Sequence, residues 1–203
     1  MTCDSGITAV VLAGGKGMRL GGNKLSQMIG DQTLLERVLS RVALLSDEVF
    51  LSLAPGQSPP ASTGAVASII PDIYPGKGAI GGLHAALTAS TRPLSLVVAG
   101  DMPFLNIELL RYMLSLVTGS DAVVPRVDGK DHPLHAIYDR RCLSVIQDQI
   151  DKGSLRMMDL LARLKVRYLE RNEIDVFDPQ HLSMFNINTQ ADLQRARRLA
   201  AQE

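Results

Sequence analysis

An apolar run leads directly into a long glycine-rich loop near the start of this chain, and this junction restricts the fold more than any other feature. Residues 10–24 read VVLAGGKGMRLGGNK and contain five glycines, one arginine and two lysines. Because glycine has no Cβ, successive backbone N–H groups can turn toward one point and form an anion-binding concavity. The pattern predicts a strand followed by a phosphate-binding loop. Arg19 and Lys24 would add positive charge there, or they are solvated loop charges.

The spacing of this loop excludes two familiar phosphate-binding loops. A Walker A loop needs Gly-Lys-Ser/Thr, whereas Gly22 is followed by Asn23. The dinucleotide-binding fingerprint fails because Leu20 stands where its third glycine belongs. The first mismatch also argues against a GTP-binding switch protein. The loop therefore suits a polyphosphate bound by another class of protein.

Composition excludes several classes of partner. The 203 residues are 46% hydrophobic, enough to build the core of one domain, and we predict a single domain over residues 1–203. The formal net charge is zero without a long basic run, which argues against nucleic acid. Cys3 and Cys142 lie far apart and match no zinc or redox spacing, so reduced thiols and a cytoplasmic location are expected. No stretch is long and apolar enough for a membrane span, and no signal peptide is expected.

Strand and helix patterns alternate through most of the chain. Strands are predicted at 7–12, 49–53, 67–71, 94–99, 122–127, 134–138 and 166–169. Helices are predicted from the capping box at 33–36, after a second glycine-rich loop at 76–82, at 106–117, 141–150 and 154–164, and from the capping box at 189–192. This alternation predicts an α/β fold, a three-layer α/β/α sandwich around a mainly parallel sheet.

Both glycine-rich loops and two acidic residues directly follow predicted strands. Asp72 follows the third strand, and Asp101 follows the most apolar one. In sheets of this class, ligands bind beyond the carboxyl ends of the strands. We therefore expect these loops and acids to converge on one crevice.

The predicted crevice combines cations with carboxylates, which suggests a metal-assisted phosphate reaction. A nucleoside triphosphate brings about four negative charges, so a carboxylate beside it needs a divalent cation between them. Asp101 is the predicted Mg2+ ligand, unless it caps the following helix, and Asp72 could instead be a turn residue. Lys24 suits a phosphoryl group as a point charge, and Arg19 could grip a leaving pyrophosphate. With Asp101, these two form the predicted catalytic set.

The chain resembles the molybdenum cofactor guanylyltransferases, the MobA-like enzymes, over nearly its whole length. The opening motif is shared with all nucleotidyltransferases of Rossmann-like, nucleotide-diphospho-sugar transferase-like fold, and the last two motifs separate this family from the others. The matching motifs are Leu12-Ala13-Gly14-Gly15 with Arg19-Leu20-Gly21 and Lys24, residues 72–82, Gly100-Asp101-Met102-Pro103-Phe104, Asp131-His132-Pro133-Leu134, Gly153-Ser154-Leu155-Arg156 and Phe185-Asn186-Ile187-Asn188-Thr189.

The resemblance implies transfer of GMP from GTP to the phosphate of molybdopterin, with Mg2+ as cofactor and pyrophosphate as the second product. It implies a nucleotide-binding part at about 1–105 and an acceptor-binding part at about 106–203, with cofactor-delivery or acceptor proteins as further partners. The nucleotide-binding candidates are Leu12, Ala13, Gly14, Gly15, Lys24, Ser52, Asp72, Gly78, Gly82 and Asp101. The acceptor-binding candidates are His132, Arg156, Asn186 and Asn188, of which His132 could also be structural.

Two details shape these assignments. Relatives often carry Asn at the position of Ser52, where it helps to hold the base. Asn186 and Asn188 flank Ile187, so period-two alternation should point both amides to the side opposite the buried isoleucine. Arg156 is expected in the first turn of a helix, where an arginine gains nothing from the helix dipole and so has another role.

Two alternatives to the guanylyltransferase remain open. One is a cytidylyltransferase that acts on molybdopterin or on a small phosphorylated alcohol, although the run Ala13-Gly14-Gly15 differs from the Ala-Ala-Gly of many cytidylyl relatives. The other is a catalytically inactive nucleotidyltransferase-like protein that only binds partners.

Overall fold

The computed structural model describes residues 6–14, 24–53, 56–57 and 66–202. The strands are β1 Ile7–Leu12, β2 Met28–Ile29, β3 Gln32–Thr33, β4 Glu48–Ser52, β5 Ser68–Ile70, β6 Leu94–Ala99, β7 Ala122–Val127, β8 Lys130–Asp131, β9 His135–Asp139 and β10 Val166–Glu170. The helices are α1 Leu34–Val42, α2 Gly78–Ala89, α3 Ile107–Ser115, α4 Cys142–Asp151, α5 Met157–Leu161, α6 Arg171–Ile174 and α7 Gln190–Ala200. No helix in the described part of the chain has the length and apolar character needed to cross a bilayer.

Eight strands form the main sheet, which is mostly parallel as predicted. Its order is β10-β7-β9-β6-β1-β4-β5, with β8 paired to the end of β7. The strands β6, β1, β4 and β5 run parallel, as do β10 and β7. Strand β9 is antiparallel to both of its neighbours. The β1, β4, β5 and β6 strands therefore all end at the same edge, which we call the carboxyl edge.

Helices cover both faces of the sheet and give the predicted three layers. Within β1, Ala9 and Val11 pack with the apolar sides of α1 and α3, whereas Val10 faces α2 and α4. This alternation follows from the period of two in a strand, and burial on both faces explains why β1 is apolar throughout. A third cluster joins α7 to the β2–β3 hairpin through Ile29, Leu34 and Leu193.

The second glycine-rich segment differs from its prediction. Helix α2 begins at Gly78, so the glycines at 78, 81 and 82 belong to the helix and the preceding loop is shorter than expected. Close packing of the helix on the strand ends explains glycine there: a Cβ at Gly82 would lie 3.2 Å from Leu12 Cδ2. The glycines serve helix–strand contact in addition to loop formation.

The predicted helix at 154–164 is much shorter in the structure. Helix α5 spans only Met157–Leu161, and Arg156 precedes it in an extended conformation as the N-cap residue. Its carbonyl accepts a hydrogen bond from Gln149 Nε2 at 3.0 Å, which ties the extended segment to the last turns of α4. The expectation that Arg156 lies in the first helical turn was therefore wrong by one position.

Candidate active site

The carboxyl edge of the sheet brings the ends of β1, β4 and β6 together in register. Leu12 pairs with Ser52 on one side and with Ala99 on the other. Beyond the strand ends, the Ala13 N–H donates to the Ser52 carbonyl at 2.8 Å, and the Gly100 N–H donates to the Leu12 carbonyl at 2.9 Å. The start of the glycine-rich loop is therefore fixed from both sides by backbone hydrogen bonds.

Asp101, two residues after the end of β6, lies at the centre of a polar cluster. Lys24 Nζ donates to Asp101 Oδ2 at 2.7 Å, and Asn186 Nδ2 donates to Asp101 Oδ1 at 2.7 Å. The lysine and aspartate side chains retain only 14% and 22% of their exposure. Residues that are 77 and 85 positions apart in the chain thus meet in one half-buried cluster.

The two asparagines of the C-terminal motif point to this same cluster. Asn188 Oδ1 lies 3.3 Å from Lys24 Nζ. Ile187 between them is fully buried, and its N–H donates to the Asp101 carbonyl at 3.0 Å. The predicted alternation of these three side chains is confirmed. Both amides address the Asp101–Lys24 pair, which the sequence had assigned to the nucleotide side.

Helix capping by neighbouring residues leaves the Asp101 side chain available and positions the C-terminal asparagines. Asn106, and not Asp101, caps α3, because its side chain accepts from the Leu109 N–H at 2.9 Å. The alternative of Asp101 as the N-cap of that helix is therefore wrong. Thr189 and Asp192 form the predicted capping box of α7 and hold the chain just after the second asparagine.

The carboxyl edge has two flanks, one on each face of the sheet. The Asp101 cluster forms the first flank, and the second lies on the opposite face, at the start of α2. Asp72 Oδ1 accepts the Tyr74 N–H at 3.0 Å, so this carboxylate does act as a turn residue. The Tyr74 hydroxyl donates to Gln147 Oε1 at 2.8 Å. This bond links the loop before α2 to α4. No spacing in the sequence indicated it, because a lone tyrosine and glutamine carry no motif.

Ser52 and Gly82 lie beside the end of β1 on this second flank, and Gly78 begins the helix that carries Gly82. Gly78 has a φ of +66°, a conformation that favours glycine. The ideal Cβ of Gly82 lies 3.5 Å from Ser52 Oγ, and Ser52 is buried. Three nucleotide-side candidates, Leu12, Ser52 and Gly82, are thus in direct contact, with the first turn of α2 above them.

His132 lies in the turn that leads into β9, near the carboxyl end of β6, where the Ala99 N–H donates to the Leu134 carbonyl. The His132 N–H donates to the Pro125 carbonyl at 2.9 Å and its carbonyl accepts the His135 N–H at 3.0 Å. Burial, and then the nearby charges of Lys130 and His181, lower the pKa of His132 to about 4. The ring is therefore neutral at physiological pH. It can donate or accept a hydrogen bond but adds no positive charge.

Arg156 is exposed at the carboxyl edge, on the flank formed by α2 and α4. It therefore lies across the edge from the asparagines with which the sequence had grouped it. The described contacts do not join its guanidinium to Asp101. The four acceptor-side candidates are thus divided between the two flanks.

Two candidates lie outside the described residues, namely Gly15 and Arg19. Their neighbours Ala13 and Gly14 are described, the first buried and the second exposed at the carboxyl edge. Sequence reasoning also missed His135, which follows the turn at His132. Its ring is fully buried, and neither nitrogen has a hydrogen-bond partner among the described residues.

Comparison with known proteins identifies the family of this chain. A family model described as the MobA-like NTP transferase domain matches residues 9–168. The probable molybdenum cofactor guanylyltransferase of Pelotomaculum thermopropionicum is 32% identical over 193 residues, which cover 95% of this chain and 93% of that protein.

Solved structures extend the match to the fold. The crystal structure of molybdopterin-guanine dinucleotide biosynthesis protein A from Archaeoglobus fulgidus has a TM-score of 0.83 at 30% identity, covering 97% of this chain and all of that one. The 2-C-methyl-D-erythritol 4-phosphate cytidylyltransferase of Thermus thermophilus has a TM-score of 0.71 at 22% identity over 95% and 98% of the two chains, which shows a shared fold alone. The chain belongs to the MobA-like NTP transferase family.

Proposed function

We propose that this protein transfers GMP from GTP to the phosphate of molybdopterin and releases pyrophosphate. The observation that carries the proposal is the cluster in which Lys24 and Asn186 converge on Asp101 at the carboxyl edge. In an α/β sheet this is where ligands bind, and a cation paired with a carboxylate there suits phosphoryl chemistry. The family membership and the names of its relatives support the same reaction.

The reaction depends on positioning the two substrates and neutralising their phosphate charge more than on a general base. A phosphate monoester has a second pKa near about 6, so the acceptor phosphate is already largely ionised at neutral pH. The remaining obstacle is repulsion between two anions. Lys24 and the N–H groups of the glycine-rich loop are proposed to reduce that repulsion, and Arg19 is proposed to hold the departing pyrophosphate. Asn186 keeps the Asp101 carboxylate in a fixed orientation through its 2.7 Å bond.

Asp101 is also the proposed ligand of Mg2+. The fit rests on its position, since a half-buried carboxylate that pairs with an ammonium at 2.7 Å can pair with a metal ion in its place. No group of three or more His, Cys, Asp or Glu side chains in the described residues could hold a metal. The protein therefore supplies a carboxylate and leaves the other ligand positions to phosphate and water oxygens, as is usual for Mg2+. The ion would supply charge neutralisation at the phosphates.

We assign the nucleotide to the edge between β1, β4 and the first turn of α2. Leu12, Ser52 and Gly82 meet there, and Gly82 lets the helix approach the strand end. Ser52 can donate or accept a hydrogen bond, as base recognition requires, but it reaches less far than an asparagine. The acceptor is assigned to the remainder of the edge, with His132 and Arg156 as its candidates.

One experiment tests both the reaction and the donor. The protein is incubated with molybdopterin, Mg2+ and each of four NTPs, and the product is identified by mass. We expect the mass of an added GMP, formed with pyrophosphate. An added CMP would instead favour the cytidylyltransferase. Absence of pyrophosphate release with every NTP would identify a binding protein without activity.

The cellular setting of this reaction is part of the proposal. We infer a cytoplasmic protein that meets GTP and molybdopterin, with cofactor-delivery or acceptor proteins as further partners. The absence of disulfide and zinc spacings supports reduced thiols. Burial raises the pKa of Cys142 to about 12, which makes this thiol unreactive.

A further inference from the structure

Both oxygens of the Asp101 carboxylate already have a partner. The Lys24 ammonium lies 2.7 Å from Oδ2, and the Asn186 amide nitrogen lies 2.7 Å from Oδ1. A cation that binds Asp101 therefore approaches oxygens that face the positive ends of two donors. The side chains of Lys24 and Asn186 therefore compete with a metal ion for the Asp101 oxygens.

We infer that Lys24 is an exchangeable internal cation, which occupies Asp101 until a nucleotide arrives and then moves from the carboxylate to the phosphates. The inference rests on the proposed function in one respect, namely that a polyphosphate is what draws the lysine away. It gives Lys24 a second role besides phosphate binding, which is to keep free divalent ions from Asp101 before the nucleotide binds.

Electrostatic repulsion determines whether Lys24 or Asn186 leaves Asp101 when a metal ion binds. Mg2+ binds carboxylate oxygen at about 2.0–2.1 Å, so an ammonium on the same oxygen would lie within about 4 Å of the ion, in strong repulsion. The Asn186 amide is neutral, and a carboxylate oxygen has more than one lone pair, so this hydrogen bond can persist beside a metal. Lys24 is therefore the group that leaves.

The surroundings allow the lysine to move without rearranging the chain. Lys24 begins a short 3-10 turn over Lys24–Ser26, where its carbonyl accepts the Gln27 N–H at 3.2 Å. The backbone is thus fixed, while the four-carbon side chain can turn. Asn188 Oδ1, at 3.3 Å from Nζ, offers the ammonium a second acceptor besides the carboxylate. Asn188 is in this account a positioning residue for Lys24.

The consequence is that metal and nucleotide bind together. With Lys24 in place, Asp101 presents little net negative charge, so free divalent cations bind weakly and an incoming polyphosphate meets no exposed carboxylate. Once the phosphates hold the lysine, Asp101 becomes available to the accompanying ion. The exchange keeps the net charge of the site nearly balanced at each stage.

Mn2+ binding to the nucleotide-free protein tests the exchange, because the paramagnetic resonance signal of free Mn2+ reports binding without catalysis. We expect weak binding to the native protein and an affinity about tenfold or more higher in Lys24→Met, since the competing charge is gone. Lys24→Gln is a second uncharged variant in case the first folds poorly. Lys165→Met removes an exposed lysine just before β10 and should leave affinity unchanged.

The double variant Lys24→Met/Asp101→Asn locates the gained site, and it should lose the added affinity. Equal Mn2+ binding by the native protein and both uncharged variants would overturn the exchange, as would a gain that survives removal of the Asp101 carboxylate. These outcomes are separate from the product-mass experiment. GMP transfer without an Mn2+ gain leaves the proposed function standing, and an Mn2+ gain without any transfer leaves only the exchange.

Discussion

Carboxylates at opposite edges of the sheet are held in different ways. At the carboxyl edge, Asp101 is bound by an ammonium and an amide that come from loops. At the opposite edge, Glu48 at the start of β4 accepts hydrogen bonds from the Thr8 hydroxyl and from the Thr91 hydroxyl and N–H. The buried Ser90 hydroxyl contacts Thr8 and closes this second cluster.

The difference separates a structural carboxylate from an exchangeable one. The hydrogen-bond donors to Glu48 are neutral groups placed by a strand and a tight turn, and the charge of Arg92 also acts on this carboxylate. Asp101 is held by Lys24, whose charge could equally be neutralised by a phosphate. A carboxylate paired with a mobile cation at the carboxyl edge can take part in ligand binding, whereas one hydrogen-bonded by neutral groups of the sheet mainly stabilises the fold.

Removing the Asp101 charge should have the largest effect on function. Asp101→Asn keeps the shape of the side chain but binds a divalent cation much less strongly, so we expect turnover to fall by about a hundredfold or more while the fold persists. Pyrophosphate release measures turnover, and thermal unfolding checks the fold. Near-normal turnover in a folded Asp101→Asn protein would remove this residue from the catalytic set.

Asn186 and Arg156 test whether the two flanks serve different substrates. From sequence, both variants to alanine should weaken molybdopterin binding and leave GTP affinity almost unchanged. Because Asn186 holds Asp101, we now expect Asn186→Ala to weaken binding of GTP with Mg2+ as well, by about 1–3 kcal/mol. Exposed Arg156 lies on the other flank, and Arg156→Ala should affect molybdopterin alone.

Separate titrations with each substrate decide between these expectations. A loss confined to molybdopterin in Asn186→Ala would restore the original grouping of the asparagines with the acceptor. A loss of GTP affinity in Arg156→Ala would mean that the nucleotide extends across both flanks.

Glu48→Gln should give the converse of Asp101→Asn, a loss of stability with turnover preserved. Burial raises the pKa of Glu48, but the hydrogen bonds from Thr8 and Thr91 outweigh it and bring the pKa below its ordinary value. The ionised form therefore stabilises the fold above pH about 4.5, and this stabilisation is lost as the pH falls below that value. We expect the free energy of unfolding at neutral pH to drop by about 1–2 kcal/mol. A large loss of turnover in the folded variant would contradict the contrast between the edges.

The last prediction concerns how the stability of the fold depends on pH. Burial, and then His132, lower the pKa of His135 to about 3, so the fold favours its neutral form. Stability is complete above the unfolded pKa of about 6.5 and is lost as the pH falls below it. His135→Leu should reduce this slope between pH about 6.5 and 4.5 by about 1.4 kcal/mol per pH unit. Urea unfolding at several pH values measures the slope, with Glu48→Gln as the control, and an unchanged slope would show that His135 is protonated equally in both states.

The strands and helices of the fold were largely predictable because local sequence patterns cause them. The apolar β1, the capping boxes at Thr33 and Thr189, and the buried Ile187 follow from periodicity and from hydrogen bonds over three residues. Boundaries set by contacts between distant segments were not predictable. Helix α2 begins at Gly78 and packs on Leu12 through Gly82, and the carbonyl of the extended Arg156 accepts a hydrogen bond from the Gln149 side chain.

Sequence by itself determined which chemical groups this protein carries and at which edge of the sheet they gather, since carboxyl ends of parallel strands share an edge. It also determined the family, through motifs that extend over nearly the whole chain. Only the tertiary structure decided that Lys24, Asp101, Asn186 and Asn188 form one cluster and that Arg156 lies across from it. Side-chain partners separated by tens of residues depend on how the layers pack, and no local pattern encodes that packing.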